Sequence, residues 1–233
     1  MRIKIKLYGF LLLLAALANQ FSYAQTADQV TDFAKAAKFD NVSEVKSLLS
    51  KGVNPNTVDP YGNPMLILAI KDRSNQVIDL LIQNPKIDVD LSNKSGETPL
   101  MIASIEGNLP LVKVLVIKNK ALLDHIGWTP LHYACAKGHL DVAQFLIANG
   151  AIVDSMSLGN TTPLMMAVQS GNDQLVKLLL DKGADLKLRN DQGFTAIDIA
   201  DIYDKPSISE GLRSRWLKLY KKPYVGPAKA KAS

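Results

Sequence analysis

Residues 125–139 gather side chains that are scarce elsewhere in the chain: all three histidines, His125, His132 and His139, and the only cysteine, Cys135. Imidazole and thiolate are preferred ligands of zinc, and a thiol among imidazoles also suits redox chemistry. His132, Cys135 and His139 follow one another at intervals of three and four. On one continuous helix that spacing would turn all three to one side. One reading of the chain is therefore a metal-binding or redox-protective protein built on His125, His132, Cys135 and His139. That reading needs the helix to pass unbroken through Gly138, and glycine readily leaves helical geometry.

Other catalytic groupings are missing from the sequence. It has no phosphate-binding glycine loop, no H-E-x-x-H and no G-x-S-x-G. Serines and acids fall on turns and polar helix faces, where solvation explains them. No catalytic residue, cofactor or metal is assigned, and the chain reads as a non-enzyme.

Charge and composition narrow the partners. The 233 residues are 47% apolar and 21% charged, within the globular range. Residues 1–24 follow another plan, with Arg2, Lys4 and Lys6, an apolar run from Leu7 to Ala18, and small Ser22 and Ala24. This is the layout of a secretory signal peptide cleaved between Ala24 and Gln25, and its apolar run is shorter than the ~20 residues of a membrane span. Export with a single cysteine leaves no internal disulfide, so the fold must hold by packing. Residues 25–212 carry 17 basic and 22 acidic groups, whereas residues 213–233 carry seven basic groups and no acid. A mildly acidic body argues against a nucleic-acid surface. The basic end, with its prolines and glycine, is expected to be disordered from residue 221 to 233.

The elements that must position these residues repeat along the chain. "GETPLMIASIEGN", "GWTPLHYACAKGH" and "NTTPLMMAVQSGN" place Thr98, Thr129 and Thr162 at spacings of 31 and 33, and "GFTAIDIADIYDK" places Thr195 another 33 on. Pro64 occupies the same slot 34 before Thr98, and Thr31 lies 33 before that. Thr followed by Pro is a helix-starting pair: the hydroxyl accepts from a free amide, and proline lacks the amide that would go unpaired. Gly107, Gly138 and Gly171 end the first helix of a unit. The second then carries an apolar stripe such as Val142, Ala143, Phe145 and Leu146. Gly52, Gly150 and Gly183 close it, with Asn119 expected in that role in the third unit. Helix pairs this short bury their apolar faces only by stacking on copies of themselves.

On these motifs, above all "TPLHYACAKGH" and "DKGAD", the units resemble ankyrin repeats over about 190 residues. The resemblance implies an all-α solenoid of about six helix-turn-helix units, near 31–60, 61–94, 95–125, 126–158, 159–191 and 192–220, within a repeat domain over 25–220. It also disperses the opening cluster. His132 becomes a buried junction residue bonded to threonine and backbone, Cys135 a small core residue, and His139 a turn residue. Ankyrin-like stacks bind proteins on a concave surface of turn tips and first helices. The tip positions here are Asn63, Glu97, Trp128, Thr161 and Phe194, and the positions before the inter-helix turn are Lys71, Asp72, Ile105, Glu106, Ala136, Lys137, Gln169 and Ser170. The implied molecule is a monomeric, periplasmic, protein-binding module that binds no nucleic acid and keeps no stable membrane insertion after leader cleavage.

Overall fold

Thr98, Thr129, Thr162 and Thr195 each start a helix, their hydroxyls accepting the amides of Met101, His132, Met165 and Asp198 at 3.3 to 3.5 Å. Pro99, Pro130 and Pro163 fill the first helical position after the first three of these threonines. The structure, a computed structural model, describes residues 25–226. The expected leader over 1–24 and the tail residues 227–233 lie outside the described residues.

Among the described residues twelve α-helices run in short antiparallel pairs. The chain divides into two compact parts, up to Lys86 and from Ile87 onward. The first contains α1 (Ala27–Lys38), α2 (Val42–Ser50), α3 (Met65–Lys71) and α4 (Asn75–Ile82). Within it α1 packs on α3 and α2 on α4, around the fully buried Phe33, Met65, Leu66, Ile67 and Leu81. It also holds an isolated antiparallel bridge between Val58 and Pro64.

The second part contains α5 (Pro99–Ile105), α6 (Leu109–Lys113), α7 (Pro130–Ala136), α8 (Leu140–Ala148), α9 (Pro163–Ser170), α10 (Asp173–Asp181), α11 (Ala196–Ile202) and α12 (Pro206–Tyr220). First helices α5, α7, α9 and α11 stack in sequence, as do second helices α6, α8 and α10. Leu100, Leu115, Leu131, Leu146 and Leu164 are sealed between them. Each such side chain stabilises the stack by ~1.5–3 kcal/mol relative to exposure.

Three sequence expectations need correction. The first is the start of the first unit, which is Thr26 and not Thr31. Thr26 and Gln29 form a reciprocal capping box, and Thr31 sits inside α1 with its hydroxyl donating to the Ala27 carbonyl at 2.9 Å. A better cap five residues upstream wins, because α1 has room to extend to 12 residues.

The second concerns the third unit. Asn119 has φ −91°, and the left-handed residue is Lys120 at φ +60°. Immediately before it, Val114–Lys118 form a π turn. The cause is one extra residue. The Ala151 and Ala184 amides reach back to the Leu146 and Leu179 carbonyls, whereas the equivalent Ala121 amide reaches to Leu115, one residue further. A π turn absorbs such an insertion without breaking the helix.

The third correction concerns the tail, which is fixed as far as Tyr224. That side chain is 9% exposed and packs edge-on to Trp216 at 5.0 Å. Its hydroxyl donates to the Asp198 carboxylate and lies 2.7 Å from the Thr195 hydroxyl. An aromatic ring with a hydrogen-bonding tip supplies both the apolar cover and the polar partner that a following repeat would have provided. Tyr224→Phe is therefore expected to lower the unfolding free energy by ~1–2 kcal/mol, measurable by urea denaturation followed by circular dichroism.

Candidate functional site

His132, at the third position of α7, is fully buried. Its Nε2–H donates to the Thr161 carbonyl at 2.9 Å, and a carbonyl can only accept. Nδ1 is therefore the unprotonated nitrogen, accepting from the Thr129 amide at 3.2 Å and facing the Thr129 hydroxyl at 2.9 Å. Burial holds its pKa below the ordinary value, outweighing the Thr161 hydrogen bond that acts the other way. A neutral imidazole with both nitrogens committed to one repeat and the next is a structural rivet.

The other members of the cluster stand in separate surroundings. Cys135 is buried, and burial pushes its thiol well above the usual range, which keeps it from the thiolate form a metal or an oxidant needs. His139 stands at the start of α8 without capping it through its side chain, and its Nε2–H donates to the Ile105 carbonyl of the preceding repeat at 2.9 Å. Gly138, at φ +74°, ends α7 between them. His125 lies before α7, its Nε2 buried without a hydrogen-bond partner. Among the described residues no three His, Cys, Asp or Glu side chains are placed to hold a metal ion. The reading of His125, His132, Cys135 and His139 as one centre is corrected: the turn at Gly138 splits the helix the spacing required.

The carboxylates include two that are not solvated. Asp198 stands in the slot of His132 in the last of the six units, and it accepts from the Thr195 amide and hydroxyl at 2.8 and 2.9 Å. Asp59 closes its turn by accepting from the Tyr61 and Asn63 amides at 2.9 and 2.8 Å. Both are occupied in holding the backbone.

In the first compact part, Lys71 and Asp72 are exposed at the end of α3, and Asn63 is half-buried with its amide turned onto Asp59. In the second, Glu106 and Lys137 are exposed, while Ile105, Ala136, Gln169 and Ser170 are half-buried beside the inter-helix turns. Glu97 accepts from the Tyr133 hydroxyl at 3.2 Å and from Asn93 at 2.8 Å. Burial, together with the Glu97 charge, pushes the Tyr133 pKa up to about 12. Thr161 uses its carbonyl for His132, and Phe194 is half-buried on the turn closed by Asn190. Trp128 is partly packed and partly open: its ring lies edge-on to His132 at 5.3 Å and to Tyr133 at 6.1 Å, yet 41% of it remains exposed.

The loop tips hold residues that composition did not single out. Ile126 is 97% exposed and Leu158 is 82% exposed, far above what isolated surface apolar residues require for packing. The three tips at 93–97, 157–161 and 190–194 are closed by the amides of Asn93, Ser157 and Asn190 bonding to the carbonyls of Glu97, Thr161 and Phe194. The 124–128 tip closes no such hairpin. Eight residues separate Ala121 from Thr129, against 11 from Ala151 to Thr162 and 11 from Ala184 to Thr195. Although three residues are gone, the Asp124 carboxylate still accepts from the Ile152 amide at 3.3 Å, as Asp90 does from Leu122 and Asp154 from Asp185. The total of 31 between Thr98 and Thr129 is thus one residue gained in the helix and three lost from the loop.

No helix among the described residues is long and apolar enough to cross a membrane. The model of the ankyrin repeats (3 copies) matches residues 33–124, 107–190 and 154–208. Similar proteins include transient receptor potential cation channel subfamily A member 1 of Homo sapiens, 29% identical over 161 residues, which are 65% of this chain and 14% of that protein. Ankyrin repeat and SAM domain-containing protein 6 of Mus musculus is 30% identical over 154 residues, 66% of this chain and 14% of its own length. The nuclear factor NF-kappa-B p105 subunit of Gallus gallus is 29% identical over 201 residues, 79% of this chain and 20% of its own length. The chain thus spans a fifth or less of these relatives. Stacked helix pairs, threonine caps, the His132 junction and the family match agree: this chain belongs to the ankyrin-repeat family, whose repeats are modules for protein–protein interaction.

Proposed function

We propose that the chain is an exported, non-enzymatic scaffold that captures a partner protein with its loop tips and the exposed flanks of its first helices. The observation that carries this reading is the contrast between interior and rim. The helix interiors are closed, with fully buried leucines and a buried His132 bonded at both nitrogens, while large apolar side chains at 126, 128 and 158 are left in water. Exposed aromatic and aliphatic side chains grouped on loops are the usual anchors of a protein interface. Reactive groups are spent on structure, which favours binding over catalysis.

The contact set is the tip and flank residues named from the sequence, Trp128 and Lys137 foremost, and the chain acts as a monomer. The basic and apolar pattern of residues 1–24 supports export, and a single cysteine suits a fold that dispenses with disulfides; together they favour work in the periplasm of a Gram-negative cell. Crosslinking and pull-down from the native compartment, comparing the natural chain with a Trp128→Ala, Lys137→Ala double variant, tests the reading. A partner recovered by the natural chain and at least ~tenfold depleted with the variant supports it. Equal recovery by both places the interface elsewhere.

A further inference from the structure

The truncated tip differs from its neighbours in ways that specify what it binds. Every other tip of the second compact part is closed by amides bonded within its own hairpin, through Asn93, Ser157 or Asn190. At 125–128 the amides of His125, Ile126, Gly127 and Trp128 donate to no protein acceptor among the described residues. Unpaired amides along a short irregular segment are a template for an extended peptide, whose carbonyls can take them up.

Around this segment the surface is apolar. Ile126 and the partly open face of Trp128 belong to the short tip. Leu158 from the next tip lies over Gly127, where a Cβ would meet its Cγ at 3.5 Å. Met156, beside Leu158 in sequence, is 42% exposed. Because the short tip stands between two full-length ones, Ile126, Trp128 and Leu158 face a gap in the row of hairpins.

The surrounding charge is negative. The four connecting loops at 87–97, 121–129, 151–162 and 184–195 hold seven carboxylates against three cations, Lys94, Lys187 and Arg189. Asp124 and Asp154 flank the gap from inside its own two loops. Such a field draws cationic segments and repels anionic ones, and it disfavours pairing with the same loops of a second copy.

We propose that the tips at 124–128 and 156–160 form a docking site for an extended peptide segment of the partner in which aliphatic or aromatic residues alternate with lysine or arginine. This rests on the scaffold reading above and adds the class of partner. Alternation follows from the geometry: an extended chain bonded to the 125–128 amides turns every second side chain toward Trp128 and Leu158, and the others toward solvent and the carboxylates.

The test uses the full chain and two labelled synthetic peptides, one alternating lysine with leucine and phenylalanine, the other with glutamate in place of lysine. Binding is read by fluorescence anisotropy for the natural chain, for Ile126→Ser/Leu158→Ser, and for a control, Leu217→Ser/Leu219→Ser. All four substituted side chains are at least half exposed, so the fold is retained. The expected result is binding of the lysine peptide, weakened at least ~tenfold by the tip substitutions, unchanged by the control, and absent for the glutamate peptide. Equal binding of both peptides, equal affinity of the tip variant, or equal loss in the control overturns the proposal. So does sedimentation showing a dimer that the tip substitutions dissolve, since the occupant is then a second copy. A native partner captured equally by natural chain and tip variant would sink this docking site and leave the scaffold reading standing. Failure of the natural chain to capture any partner would sink the scaffold reading itself.

Discussion

Replacing His132 with alanine is expected to lower the unfolding free energy by ~3–4 kcal/mol. The imidazole is fully buried, so its removal leaves a cavity in the α7 junction. It also orphans the Thr161 carbonyl and the Thr129 amide, which it now serves at 2.9 and 3.2 Å. His132→Met should cost less, because Met101 and Met165 fill the same slot in the adjacent repeats and the Thr98 amide there points to the Met101 sulfur at 3.4 Å. Urea denaturation of both variants decides the order. The pH dependence has a definite sign. An unfolded histidine titrates near pH ~6.5, whereas burial holds the folded imidazole below that. The unfolded chain thus binds more protons below the unfolded value, and stability falls as pH drops through the interval between the two. Above it the contribution is fully present, and His132→Met should abolish this part of the acid dependence.

Gly107→Ala is the second large effect, expected at ~2–4 kcal/mol. Two separate causes add. Gly107 has φ +66°, and a Cβ built there would lie 2.6 Å from two atoms of the His139 ring. The ring would have to move, breaking its hydrogen bond to the Ile105 carbonyl. Gly183→Ala serves as the comparison, since Gly183 has φ +94° but open space around it. It should cost only the backbone term, ~1–2 kcal/mol. If the two substitutions cost the same, the imidazole is not wedged against Gly107 as described.

The first-helix starts, the inter-helix turns and the apolar stripes were legible in the sequence because each depends on neighbours a few residues away. Thr129 followed by Pro130 needs nothing else to cap α7. Positions whose role depends on another repeat were harder to read. His139 looked like a bare turn residue, yet it stitches α8 to the end of α5. A signal was available: Ser74 and Asn172, in the same slot, also donate to backbone carbonyls of the preceding repeat, at Lys38 and Gly138. Asp40, standing where other units have glycine, tolerates φ +53° because its carboxylate is held by the Val77 amide at 2.9 Å. Nothing local in "FDN" announces that partner.

The interval of 31 between Thr98 and Thr129 was visible as a number, but its division into a helical insertion and a shortened loop was not. That division depends on where Ala121 lands against Leu115, a matter of three-dimensional register. Ile126 and Leu158 were overlooked for the same reason. Ile126 is exposed on the tip that lacks a hairpin and Leu158 on the tip beside it, whereas Trp128 stood out through residue type alone. Tyr224 lay in a stretch whose composition argued for disorder. Composition gave no account of the buried Asp198 and the Trp216 face that hold it.

The most direct test of the whole account is site-specific photo-crosslinking in the native compartment, with a photoreactive residue at position 126 on the short tip or at position 144 on the exposed side of α8. The account predicts a discrete crosslinked species from position 126 and none from position 144. A partner captured from 144 and not from 126 would contradict it, placing recognition on the second helices and returning the exposed tip to the status of unengaged surface.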